Sequence, residues 1–178
     1  MQGLRDLRIV DFSDRIAGAY TTKLMADAYA EVIKVEPADG EKLRSWTSSG
    51  QDLQGKDGAL FQFLNTSKKS VIGSMDDEHV DALLKGADLL VETSGGEMNA
   101  AALCERYPGL VVLSISDYGL GGPLTGTPAA DLTVQAHSGA ISVRGLQSQP
   151  PIMCGGRITE WIGGTFAAVA GLAAARRA

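Results

Sequence analysis

The sequence predicts an α/β fold, a parallel sheet with helices on both faces. Three observations predict it. Short apolar runs alternate with helical patterns along most of the chain, which is the signature of strands joined by helices. Those runs are continuously apolar rather than alternating, as befits strands covered on both sides. Residues 7–36 already form one β-α-β unit of about thirty residues.

The elements follow in order. Residues 7–12 (Leu-Arg-Ile-Val-Asp-Phe) are the first strand. Ser13 and Asp14 supply turn or cap chemistry before a helix over 17–29. The second strand, 31–36, is ended by Pro37 and Gly40. Residues 40–57 are polar and Gly/Ser-rich without periodicity, a loop. A short helix over 58–64 leads to a third strand at 70–72. Residues 76–85 place Val80, Leu83 and Leu84 on one side of an amphipathic helix. The fourth and fifth strands are 88–92 and 110–115. Residues 119–128 are a Gly/Pro loop, 131–139 a short helix and 141–151 irregular. A final helix opens at Thr159 and Glu160 and runs to Ala174 through small and apolar residues. There is no internal repeat and no low-complexity segment.

Composition narrows the function classes. The 178 residues suffice for one domain with a real core, and apolar (44%) and charged (21%) contents are ordinary. A net charge of −5 without a Lys/Arg block speaks against a nucleic-acid surface. Cys104 and Cys154 lie fifty residues apart, which gives neither a disulfide framework nor a zinc site. With only His79 and His137, no histidine metal site is expected, and we expect no metal. The N-terminus carries no apolar signal region. The run after Trp161 is broken by Gly163, Gly164 and Gly171, shorter than a bilayer span, and reads as a buried helix. We therefore expect a cytoplasmic protein without membrane contact. Residues 173–178 lack a helix stop signal and read as a chain cut at a helix end.

In open parallel sheets ligands bind past the carboxyl ends of the strands. That edge comprises the loops 13–18, 36–40, 93–96 and 116–122, each carrying Gly or Ser. Neither a Gly-x-Gly-x-x-Gly turn nor a Gly-x-x-x-x-Gly-Lys loop is present, so a nicotinamide or ATP enzyme has no positive support. The most informative stretch is Gly155-Gly156-Arg157-Ile158-Thr159-Glu160-Trp161-Ile162-Gly163-Gly164. It sets one carboxylate, Glu160, at the mouth of an apolar helix, where free N–H groups and the helix dipole favour negative charge. The plain alternative is that Thr159 and Glu160 only cap and open the helix. His137 could act as an acid or base, Cys154 as a nucleophile and Asp131 as a site acid. Against these stand a satisfied histidine, a small buried cysteine and an aspartate capping its own helix. Ser114 and Ser116 end a strand outside any Gly-x-Ser-x-Gly elbow.

The chain resembles a known family. Gly3-Leu4, Val10-Asp11-Phe12-Ser13, Ala17-Gly18, Met25-Ala26-Asp27 and Ala30-Glu31-Val32-Ile33-Lys34-Val35-Glu36-Pro37 look like the opening of class III CoA-transferases. Asn65-x-x-Lys68-Lys69-Ser70, Ala87-Asp88-Leu89-Leu90-Val91-Glu92, Ser114-Ile115-Ser116-x-x-Gly119-x-x-Gly122-Pro123 and Pro128-Ala129-Ala130-Asp131-Leu132-x-x-Gln135-Ala136-x-Ser138-Gly139 keep the register. So does the stretch from Gly155 to Leu172. The group includes formyl-CoA transferase, the carnitine CoA-transferases and the 2-methylacyl-CoA racemases. The resemblance implies that residues 1–178 are a Rossmann-like large domain, the amino-terminal portion of a chain about twice as long. It also implies an interlocked homodimer, or assembly with a family member, acting on coenzyme A as acyl-CoA and on a carboxylate acceptor.

In the transferases of this family an aspartate attacks the acyl-CoA carbonyl, giving a mixed anhydride, then an enzyme–CoA thioester, then transfer to the acceptor acid. Its position corresponds here to Glu160. Other positions depart from the pattern. The racemase histidine and a tyrosine beside the Gln-Ala motif fall at Ala130, the usual Asn-Phe after the fourth strand is Thr93-Ser94, and the CoA-phosphate arginine is Pro37. CoA contacts would then come from Arg15, Ala17 and Gly18 in the first turn, with Lys42 or Arg44 replacing the missing phosphate cation. Three functions follow: an acyl-CoA transferase with Glu160 as nucleophile, a non-catalytic subunit completing an active partner, or a binder of another nucleotide-like ligand.

Overall fold

Among the described residues, five short strands form the sheet: β1 (Arg8–Asp11), β2 (Glu31–Glu36), β3 (Lys69–Ile72), β4 (Leu89–Glu92) and β5 (Val111–Ser114). In the computed structural model, which describes residues 3–176, every neighbouring pair is parallel and the order is β3-β2-β1-β4-β5. Helices α1 (Ile16–Asp27), α2 (Ala59–Leu64), α3 (Glu78–Lys85), α4 (Ala100–Arg106), α5 (Asp131–His137) and α6 (Ile158–Ala175) complete the fold.

The continuous apolar strands do what their composition requires. Successive side chains alternate between faces, so Ile9, Leu89 and Val91 pack with Met25, Ala26 and Ala168 on one face. Val10 and Leu90 pack with Val80, Leu84, Leu103 and Tyr107 on the other. The α/β class is the one expected. Chain order reverses between β1 and β4, so their carboxyl ends open side by side into a crevice.

Three local features differ from the sequence expectation. Helix α4 was not expected, because only Leu103 of it is buried and it shows no apolar period. Its signal is Asn99, whose side chain accepts from Ala102 N at 3.1 Å ahead of an alanine run. A single 3₁₀ turn, Lys42–Arg44, interrupts the expected loop. Helix α6 is buried on one face only. Glu160, Gly164, Ala168 and Gly171 face inward, whereas Ile162, Phe166 and Val169 are exposed. Its 18 residues and mean hydropathy of 1.3 are long and apolar enough to cross a membrane by length and composition. In the fold its small-residue row packs on α1 and the sheet.

That packing is close. Thr21 Oγ1 of α1 donates to Gly164 O at 2.9 Å and to Ala17 O at 2.8 Å. A Cβ at Gly164 would stand 2.5 Å from Ala17 O, so only glycine lets the helices approach this far. The crossing sets the first turn of α6 against the first turn of α1.

Candidate functional site

Two helix starts converge on one carboxylate. Glu160 lies in the first turn of α6 and is 6% exposed. Its Oε2 accepts from Ala17 N, in the first turn of α1, at 3.3 Å. Its Oε1 pairs with Arg157 Nη2 and lies 3.6 Å from Arg15 Nη2. A buried carboxylate survives only when its charge is met, and two guanidinium groups and a free helix N–H meet it here.

The caps are not those expected from sequence. Arg157, not Thr159, occupies the N-cap of α6, in left-handed backbone and without a side-chain cap bond. Asp131 does not cap its own helix. Ala130 stands at that N-cap, with Thr133 Oγ1 accepting from Ala130 N at 2.8 Å. Instead Asp131 Oδ1 accepts from Thr159 N at 3.1 Å and from the Thr159 hydroxyl, so one helix caps the next. Gln135, 1% exposed, adds a second tie. Its amide donates to Asp131 Oδ2 (2.7 Å) and Cys154 O (2.8 Å) and accepts from Cys154 N (2.9 Å).

The opposite wall is the β1–α1 turn. Arg15 forms a two-pronged pair with Asp117 at 2.8 and 2.9 Å, and those bonds lead the influences that hold its guanidinium above the ordinary range. Gly18 is required by close approach, since a Cβ there would meet Ser13 Cβ at 2.2 Å and Thr93 Cγ2 at 2.9 Å. Thr93 Oγ1 ties the turn to β4, donating to Asp14 Oδ1 at 2.9 Å and accepting from Asp14 N at 3.0 Å.

Beneath this turn lies a buried ionic group that sequence reasoning missed. Asp11 Oδ1 accepts from Ser13 N (2.9 Å) and Ser13 Oγ (2.5 Å), and Oδ2 from Thr22 Oγ1 (2.6 Å) and Lys68 Nζ (3.1 Å). Lys34 Nζ donates to Ser13 O at 2.6 Å and pairs with Glu41 at 2.7 Å. Burial pushes Asp11 up, but Lys34 and Lys68 outweigh it and hold the carboxyl well below its usual range. Burial draws Lys68 down to about 8, and pushes Glu41 up. The available signal was charge inside apolar strands, Asp11 in β1 and Lys34 in β2. The group fixes the backbone that presents Ala17 N to Glu160.

Between the walls opens a cleft of about 300 Å³ at the β1/β4 crevice. Arg15, Asp117, Arg144 and Glu160 are its charged lining, and Ile115, Val134, Ile158 and Ile162 much of its apolar lining. Of the expected site residues, Glu160, Arg15 and Ala17 meet here, and Gly18 packs behind the turn. Lys42 stands outside the lining, largely exposed and paired with Asp14 at 3.0 Å. Arg44 also lies outside it, its guanidinium taken up by Glu36 (2.6 and 2.8 Å) and Asp57 (2.8 Å) and stacked on Phe61. Of the four expected loops, 36–40 contributes nothing to the cleft. His137 is exposed and bonds Tyr118 OH at 2.8 Å, away from the cleft lining. Ser116 lines the cleft, whereas Ser114 and Cys154 do not. Arg144 and Gln135 line it without having been singled out from sequence as ligand contacts.

The family model described as CoA-transferase family III matches residues 4–178. A succinyl-CoA:mesaconate CoA-transferase of Haloarcula hispanica is 34% identical over 98% of this chain and 48% of that protein. An acetyl-CoA:oxalate CoA-transferase of Acetobacter aceti is 31% identical over 90% of this chain and 43% of its own. Among solved structures, a CAIB/BAIF family protein from Brucella suis superposes with a TM-score of 0.84 at 25% identity, covering 96% of this chain and 48% of that one. The chain thus spans about half the length of the curated relatives it matches.

Proposed function

Because the chain belongs to CoA-transferase family III, we propose that it moves CoA between carboxylic acids, with Glu160 carrying the covalent intermediate. One observation carries this reading: a buried carboxylate, opening on a cleft, held where the first turns of α1 and α6 meet. In the proposed step a Glu160 oxygen forms a bond to the thioester carbonyl carbon. The carbon–sulfur bond breaks and the thiolate leaves, giving a mixed anhydride. The thiolate then attacks the Glu160 carbonyl, the acid departs, and the acceptor carboxylate enters by the reverse sequence. Splitting one acyl exchange into such steps is what covalent catalysis accomplishes. The Ala17 N–H faces one Glu160 oxygen and the Arg15 guanidinium the other, so negative charge developing on whichever oxygen remains carbonyl has a donor beside it. The substrates are an acyl-CoA and a small carboxylate acceptor. The family relationship supports this, as do the names of relatives that exchange CoA among acids. Following CoA exchange between two acids in wild type and Glu160→Gln tests it. Exchange in the wild type and none in the variant supports the role, and equal exchange in both refutes it.

A second reading, a subunit completing a partner of the same family, rests on a different observation. Ile162, Phe166 and Val169 form an exposed apolar row along α6. Assembly as a homodimer or with a family member would cover it.

A further inference from the structure

We propose that Arg144 is the residue that selects dicarboxylic acids, binding the remote carboxylate of an acid whose other end exchanges at Glu160. This rests on the acyl-exchange reading of the cleft and adds a substrate class to it.

The charges on the cleft wall are unequally matched. Arg15 is engaged by Asp117 through both prongs of its guanidinium. Glu160 is met by Arg157 and Arg15. Arg144 has no carboxylate within ion-pair distance among the described residues. Its one hydrogen bond runs from Nη1 to Gln135 Oε1 at 3.4 Å. Gln135 is itself fixed, buried and bonded to Asp131 and to the backbone N–H and C=O of Cys154. One corner of the Arg144 guanidinium is thus steered by a rigid amide, and the rest of its donors have no partner among the described residues. A guanidinium with free donors matches a carboxylate in a two-pronged bond, the strongest arrangement open to either group.

The apolar residues that line the same cleft suit the rest of such a ligand. Val134, Ala140, Ile158 and Ile162 offer apolar contact to a short hydrocarbon spacer. An acid with one carboxylate would engage Glu160 chemistry and leave Arg144 facing a methyl group. An acid with two satisfies both ends. A CoA phosphate would also pair with a free guanidinium, but it would do so whichever acid was exchanged.

The test holds one donor constant, acetyl-CoA, and compares succinate with butyrate as acceptors in wild type, Arg144→Gln and Arg144→Lys. Loss of a charge-assisted bond predicts a fall of about 10- to 100-fold in kcat/KM for succinate, with butyrate within about twofold and the lysine variant between. An equal fall with both acids assigns Arg144 to the phosphate and overturns the proposal, as does an unchanged succinate value. Binding is read separately, as the shift in melting temperature on adding succinate or butyrate to Glu160→Gln, which needs no turnover. Selective stabilisation by succinate that vanishes on adding Arg144→Gln supports the subsite even where exchange at Glu160 is disproved. Equal response to the two acids overturns it even where exchange is proved.

Discussion

At the scale of single residues, reach and charge decide what Glu160 can do. Its side chain already touches Ala17 N and two arginines. Glu160→Asp would withdraw the carboxylate by one methylene, about 1.5 Å, and misplacement on that scale lowers rates by roughly 10²-fold. We expect slow but measurable exchange in Glu160→Asp and none in Glu160→Gln. An aspartate variant as fast as wild type would show that these contacts do not position the group. Elsewhere Glu36 sets a pH response. Burial pushes its carboxyl up, but Arg44, the Ser70 hydroxyl and Glu41 N–H hold it at about 2, against an ordinary 4.5. A depressed carboxyl contributes stability above the unfolded value and loses it as pH falls toward the folded one. Acid unfolding followed by circular dichroism should therefore steepen between pH 4.5 and about 2, and Arg44→Met should shift the midpoint upward. An unmoved midpoint would remove Glu36 from that account. The sequence showed Glu160 through its neighbours and its helix start. It did not show the Asp11 group, because Asp11, Lys34 and Lys68 are adjacent only after three parallel strands align.

At the scale of elements, the strands and most helix bounds are legible in the sequence, whereas helix α4 and the caps are not. Continuous apolar runs identified all five strands to within two residues. Local spacing does not show the capping of α6, because its cap acid comes from α5, twenty-eight residues earlier. Burial of α6 was half legible. Its small residues announced a close contact, but composition alone did not show which side they occupy. Two adjacent glycines test that contact. A Cβ at Gly164 meets the Ala17 backbone at 2.5 Å, whereas one at Gly163 meets nothing within 4 Å. Gly164→Ala should destabilise by about 1–3 kcal/mol through overpacking. Gly163→Ala should be neutral or stabilising by up to about 1 kcal/mol through helix propensity. Chemical denaturation of both variants checks the difference, and equal effects would contradict the observed crossing. Gly164→Ala also moves Ala17 relative to Glu160, so its exchange rate should fall in parallel.

At the scale of the whole molecule, chain order creates the site. The reversal between β1 and β4 opens the crevice, and α6 returns across the sheet to place Glu160 beside it. The edge was readable from the general rule for parallel sheets. The participation of Arg144 was not, because residues 141–151 have no periodicity to orient them. The exposed row on α6 makes a prediction at this scale. The chain should associate in solution, and Phe166→Glu should reduce its sedimentation-derived mass while stability changes by no more than about 0.5 kcal/mol. A wild-type chain that sediments as a monomer at all concentrations would leave the row without a role in assembly. The most direct test of the whole account is the mass of the protein after brief incubation with an acyl-CoA, followed by peptide mapping. The account predicts an acyl or CoA adduct on the peptide carrying Glu160, absent in Glu160→Gln. An adduct on another residue, or exchange without any adduct at Glu160, would contradict it.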